Sequence, residues 1–170
     1  MMDVKRIRIK EVFLACLIFA IMFVGLWDFF APSVTLYEAE NAKIVGARFA
    51  NKHPGYTGTG YVDYKSKSDE YIQWTVDVSR GGPYRIIFRY ALGGKYNRPL
   101  KIIVNGETVD EGLAIPRIGD WDEWDSVDIE AILQQGENVI KAVSIGKSGP
   151  NIDSISLKYV RNDIFGFLDN

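Results

Sequence analysis

Residues 71–78, Tyr-Ile-Gln-Trp-Thr-Val-Asp-Val, alternate apolar and polar side chains almost without a break. Successive side chains of an extended chain point to opposite faces, so this pattern predicts a strand with one buried and one solvated face. The stretches 84–90, 100–104, 139–145 and 152–160 carry the same signal, and Gly81-Gly82-Pro83, Gly93-Gly94 and Gln134 to Asn138 punctuate them. Asn105-Gly106, between Lys101–Val104 and Glu107-Thr108-Val109, predicts a two-residue type I′ hairpin, because both central positions of that turn need positive φ. Short strands separated by turns about every eight to twelve residues predict an all-β fold, an antiparallel β-sandwich of the jelly-roll kind. The 170 residues, 47% of them apolar, leave room for one such domain with a real core.

Charge and composition exclude several functions. The formal net charge is −2. Lys5, Arg6, Arg8 and Lys10 outnumber Asp3 and Glu11 in the first eleven residues, so the excess of acid lies downstream and no basic face is left for nucleic acid. One histidine, His53, and one cysteine, Cys16, can build neither a zinc site, a Cys-His pair nor a disulfide framework.

Residues 12–27 form an unbroken apolar run, extended to Phe30 if Asp28 sits at an interface. A helix of that length spans about 24 Å, between a signal-peptide core and a minimal membrane span. The basic residues precede it, which predicts a cytoplasmic N-terminus and an exported remainder. Ala31-Pro32-Ser33 is a poor cleavage site, and Trp27, Phe29 and Phe30 read as an interfacial belt. The expected organisation is a basic segment 1–11, a transmembrane anchor over 12–30 in preference to a cleaved signal, the sandwich over 34–160 and an apolar tail over 161–170.

Tyr37-Glu38-Ala39-Glu40 places two carboxylates at i and i+2 of an extended segment, on one side, where they can share a hard cation. The glycine-spaced loop Gly55-Tyr56-Thr57-Gly58-Thr59-Gly60-Tyr61-Val62 follows. Further on come Asp69 to Trp74, Asn97-Arg98-Pro99-Leu100, Val104-Asn105-Gly106, Trp121-Asp122-Glu123-Trp124, Leu133 to Ile140 and Asn151-Ile152-Asp153. In this order and spacing, over residues 34–160, they resemble carbohydrate-binding modules of the family 6 and family 35 type, a galactose-binding-domain-like β-sandwich.

The resemblance implies a structural calcium held by Glu38, Glu40 and Asp153. The donor types agree, since calcium takes six to eight oxygen ligands; the alternative is ordinary solvated acids at a strand edge. The resemblance also implies a sugar site in the loops at one end, with Tyr61 and Trp121 as aromatic platforms and Asn151 as the amide. A sugar ring pairs a C–H-rich face with a rim of hydroxyls, which these side-chain types suit. Tyr56 is a substitute platform and Arg98 a partner for an acidic sugar. Tyr61 could instead pack beneath its own loop, Asn151 could be a plain turn residue, and Trp74 and Trp124 are assigned to the core.

Asp120, Asp122, Glu123 and Asp125 are close in sequence, but nothing apolar around them would hold one protonated as a glycosidase acid. A non-catalytic protein is expected. Two roles remain: a membrane-tethered module holding a poly- or oligosaccharide outside the cytoplasm, and an accessory subunit of a larger membrane complex whose sandwich contacts other subunits.

Overall fold

The computed structural model describes residues 34–65, 68–146 and 148–160. The expected anchor over 12–30 and the tail over 161–170 lie outside them. Among the described residues no helix is long and apolar enough to cross a membrane.

Among the described residues eleven strands run in chain order: β1 Thr35–Glu38, β2 Lys43–Val45, β3 Arg48–Ala50, β4 Tyr61–Asp63, β5 Tyr71–Val78, β6 Gly82–Ala91, β7 Leu100–Val104, β8 Glu107–Leu113, β9 Asp125–Leu133, β10 Gly136–Ser144 and β11 Asn151–Tyr159. They form two antiparallel sheets, one ordered β3-β4-β11-β6-β9 with β1 also on β11, the other β2-β5-β10-β7-β8. This is the expected two-sheet sandwich. Strand β5 has the predicted bounds, and its alternation buries Ile72, Trp74, Val76 and Val78. Those side chains share one core with Ile86, Phe88 and Tyr90 of β6, Leu100 and Ile102 of β7, Ile140 and Ala142 of β10, and Ile155 and Leu157 of β11. Each fully buried aliphatic or aromatic side chain contributes about 1.5–3 kcal/mol. Trp74 meets Phe88 edge to face at 6.2 Å, which places it in the core as its alternating strand predicts. At the β7–β8 hairpin Asn105 and Gly106 have φ of 51° and 89°, the type I′ signature.

Two local departures shape the functional end. The first strand stops at Glu38: Ala39 is fully buried and donates its N–H to the Asp153 carbonyl at 2.8 Å, and the chain then turns. Glu38 and Glu40 therefore do not share a strand face. Second, the β11–β6 pairing slips between Ile152 and Ser154, leaving Asp153 in a bulge. Period two alone would aim Asn151 and Asp153 the same way, whereas a bulge re-aims side chains and lets the two serve different places.

Chain entry and exit share one end. Thr35 pairs with Leu157 and Tyr84 with Tyr159, whereas Asn151 begins β11 at the other end, about 26 Å away at 3.3 Å per residue.

Candidate functional site

Three strands build the floor of a cleft at the Asn151 end. Arg48 on β3 pairs with Asp63 on β4, and Asp63 pairs with Asn151 on β11, so three polar side chains stand in one cross-strand row. Loops add Lys52, His53, Lys65, Arg98, Trp121 and Ser148, enclosing about 310 Å³. Four basic side chains, Arg48, Lys52, Lys65 and Arg98, line this cleft against one acid, Asp63. That acid is already paired: Arg48 donates to Asp63 Oδ2 through Nε at 3.0 Å and Nη2 at 2.7 Å. The cleft is thus basic on a chain whose overall balance is acidic.

Arg98 is held, not loose. Its Nη1 donates to Ser148 Oγ at 3.0 Å and to the Gly149 carbonyl at 2.8 Å, and its guanidinium lies 5.1 Å from the centre of the Trp121 ring. Burial pulls its pKa down from the usual arginine value. Ser148 Oγ in turn donates to the Tyr64 carbonyl at 3.2 Å, fixing the loop that fixes the arginine. Trp121 is half-buried, with its inner edge on the core, and the His53 ring is 6.3 Å away. Asn151 is only 3% exposed, it lines the cleft, and no hydrogen bond engages its carboxamide among the described residues. A nearly buried amide left unengaged is ready to hold a ligand hydroxyl.

The two expected tyrosines differ in place. Tyr61 is 2% exposed and forms part of the cleft floor; burial raises its phenol pKa, and its oxygen accepts the His53 N–H at 3.4 Å. It packs beneath its own loop, between Tyr56 at 5.9 Å and Trp124 at 5.4 Å. Tyr56 is half-buried on that stack and outside the cleft lining. Trp124, expected in the core, instead clamps the loop: its Nε1 donates to the Pro54 carbonyl at 2.9 Å, and Arg89 lies 5.1 Å from its ring.

The carboxylates meet around the loop 55–60. Glu40 Oε1 accepts the N–H of Thr59 at 2.7 Å and of Gly60 at 3.2 Å. Asp153, wholly buried, accepts the Thr57 N–H at 2.8 Å. The Thr57 hydroxyl lies 2.8 Å from Glu38 Oε2 and 2.9 Å from Asp153 Oδ2, with a single proton for the two. Gly58, at φ +63°, allows this approach, since a Cβ there would collide with the Glu40 and Glu38 carboxylates. Burial, then the charges of Asp153 and Glu40, push the Glu38 pKa up. Glu40 Oε2 is buried with no partner. Crowded acids with an orphaned buried oxygen fit a hard divalent cation in donor type. As they stand, no three metal-ligating side chains among the described residues are grouped to hold one. Asp153 Oδ2 carries the Arg89 guanidinium at 2.6 Å.

With the sandwich, the end cleft and the carboxylate-pinned loop in view, comparison with known proteins decides the class. Residues 35–160 match the carbohydrate binding module (family 35). The chain belongs to that family. A family 35 module from Clostridium thermocellum is 40% identical, superposes with a TM-score of 0.72, and matches over 74% of this chain and 97% of its own. A family 35 module solved with a glucuronic acid-containing disaccharide is 28% identical, with a TM-score of 0.64, over 72% of this chain and 91% of its own. An exo-beta-D-glucosaminidase from Amycolatopsis orientalis is 40% identical over 71% of this chain, which spans 12% of that enzyme. The family 35 sandwich here is a non-catalytic carbohydrate-binding module, and isolated modules of its kind form free-standing structures.

No sequence pattern singles out Arg48, Asp63, Lys52, Lys65, Ser148 or Arg89 as site residues. The readable signal was partial: Lys52-His53 precedes the glycine-spaced loop, but cross-strand register, not spacing, brings Arg48 and Asp63 beside Asn151.

Proposed function

We propose that this chain is a membrane-tethered carbohydrate-binding module that holds an acidic poly- or oligosaccharide outside the cytoplasm, with a structural calcium closing its loop end. The observation that carries the reading is the cleft's charge: four basic side chains around one acid that is already paired to Arg48. A uronic acid presents a carboxylate, a ring face and vicinal hydroxyls. Arg98 offers its remaining N–H groups to the carboxylate, Trp121 a face to the ring, and Asn151 its carboxamide to hydroxyls. Tyr61 supports this surface from below. The related module solved with a glucuronic acid-containing disaccharide is consistent with such a ligand.

Glu38, Glu40 and Asp153 would hold the calcium. Bound there, the ion's two positive charges would offset most of the charge of three crowded acids. The residues themselves tie the loop 55–60 to the first and last strands of one sheet through Thr57, Thr59 and Gly60. The tether rests on the basic cluster and apolar run before residue 31. It would join the domain at Val34, next to Thr35, which pairs with Leu157 on β11.

The test is binding of residues 34–170 to a glycan panel containing uronic acid-terminated, uronic acid-internal and neutral chains, beside Trp121→Ala. The reading expects acidic glycans to bind, neutral analogues to bind more weakly, and the substitution to reduce both. Silence across the panel from a folded domain would favour the accessory-subunit role instead.

A further inference from the structure

Arg89 lies on β6, near the cluster that would hold the calcium, and its guanidinium joins three things. Nη1 donates to Asp153 Oδ2 at 2.6 Å, Nη2 donates to the Gly55 carbonyl at 2.8 Å, and the plane lies 5.1 Å from the Trp124 ring centre. It therefore grips both the acid that pins Thr57 and the first residue of the loop that Thr57 belongs to. Its partner is fully buried, while Arg89 itself is 32% exposed.

Asp153 has little left to offer a metal while this contact lasts. An ionised carboxylate has about four lone-pair positions. Here Oδ1 takes the Thr57 N–H, and Oδ2 takes Arg89, the Ser154 hydroxyl at 3.3 Å and a share of the Thr57 proton. Glu38 and Glu40 retain capacity: Glu38 Oε2 shares the Thr57 hydroxyl, and Glu40 Oε2 is buried without any partner. One guanidinium beside three acids leaves the cluster under-neutralised, yet it occupies the acid that joins β11 to the loop.

We propose that Arg89 is a tethered counter-cation of this cluster: it holds Asp153 and the loop 55–60 in place when no metal is bound, and competes with a divalent cation for Asp153. This rests on the calcium reading above. Arg89 is a positioning residue, and the Gly55 carbonyl and the Trp124 face are the partners that keep its side chain docked when Asp153 is taken.

The experiment uses residues 34–170, wild type, Arg89→Met and Arg89→Lys. Calcium binding is measured by calorimetry, and melting is followed in calcium and in chelator. Arg89→Met is expected to bind calcium about tenfold or more tightly, because no charge-assisted hydrogen bond has to be displaced. Its melting temperature in chelator should fall, so the gap between the calcium and chelator transitions widens. A variant that folds only with calcium gives the same answer. Arg89→Lys should fall between the two, because it keeps the charge and loses the two-pronged grip. Should Arg89→Met fold in neither buffer, the direction of the Arg89→Lys shift carries the test. Calcium affinity unchanged or weakened in the variants, with wild type binding calcium, overturns the proposal and leaves the metal reading standing. Calcium silence in wild type and variants alike overturns both. Silence in wild type with binding in Arg89→Met upholds the competition in its strongest form.

Discussion

Replacing Arg98 with methionine separates charge recognition from shape. Methionine keeps an unbranched stem of similar reach over Trp121 and removes the guanidinium. In the structure Nη1 is committed to Ser148 and Gly149, leaving Nε and Nη2 for a ligand. One charge-assisted hydrogen bond to a carboxylate is worth about 1.5–3 kcal/mol, or roughly 10- to 150-fold in affinity at 1.4 kcal/mol per decade. A neutral sugar of the same ring shape lacks that carboxylate and should lose about threefold or less, through altered packing on Trp121. The variant also loses the two bonds that hold the 148–149 loop, at about 1–2 kcal/mol of stability, so its melting temperature is recorded alongside. Calorimetric titrations with glucuronic acid and glucose, at low and moderate salt, give four affinities per protein. The reasoning requires a selective loss for the acid, and for wild type a preference for acid that shrinks as salt rises. Equal losses for both sugars would show that Arg98 acts only by shaping the loop. No loss for the acid would remove it from recognition altogether.

Other outcomes follow from the same geometry. Removing calcium with chelator should lower the melting temperature of residues 34–170, since an ion present at 100 times its dissociation constant stabilises by about 2.7 kcal/mol; an unchanged transition counts against the site. Glu38→Gln should melt higher than wild type in chelator and lower in calcium, because burial and the charges of Asp153 and Glu40 already oppose a carboxylate at Glu38. Gly58→Ala, strained at φ +63° and placing a methyl on the Glu40 and Glu38 carboxylates, should weaken calcium binding while the sheets stay intact by circular dichroism. Asn138→Ala deletes four hydrogen bonds of a fully buried side chain, to Gln134 twice, Gly136 and Asn105. The expected cost is about 2–4 kcal/mol, or roughly 8–15 °C in melting temperature, with sugar affinity unchanged in the folded fraction.

The strands legible in the sequence are those with a long, clean alternation. Strand β5 and strand β7 have the expected bounds, and Asn105-Gly106 turns as predicted, because the rule there is purely local. Strands β2, β3 and β4, three residues each, are too short to show a period. Strand β9 alternates too, with Val127, Ile129, Ala131 and Leu133 inward, but its outward Asp128 and Glu130, following Asp125, continue an acidic stretch that reads as a loop. At the site, the family resemblance pointed to Trp121, Asn151 and the three carboxylates, with Arg98 beside them as a partner for an acidic sugar. Residue type could not choose between platform and packing for Tyr61, because both use the same aromatic beside a glycine; the hydroxyl contact to His53 and burial between Tyr56 and Trp124 decide it. Trp124 misled for a related reason: a tryptophan clamping a loop and one in a core differ only in what lies across from them. Arg48, Asp63 and Arg89 were hidden because their positions depend on the pairing of β3, β4, β11 and β6 and on the bulge at Asp153.

Binding of an acidic sugar in the basic end cleft, as proposed, is open to one direct measurement. Isotope-labelled residues 34–170 titrated with a glucuronic acid-bearing oligosaccharide, with backbone amide shifts followed residue by residue, test it directly. Binding in the cleft should give shifts concentrated at 48–65, 94–98, 119–123 and 148–151, saturating together, and absent from the opposite end around Thr35, Pro83 and Tyr159. Saturable shifts centred on another surface, or none at ligand concentrations that bind related modules, would contradict it.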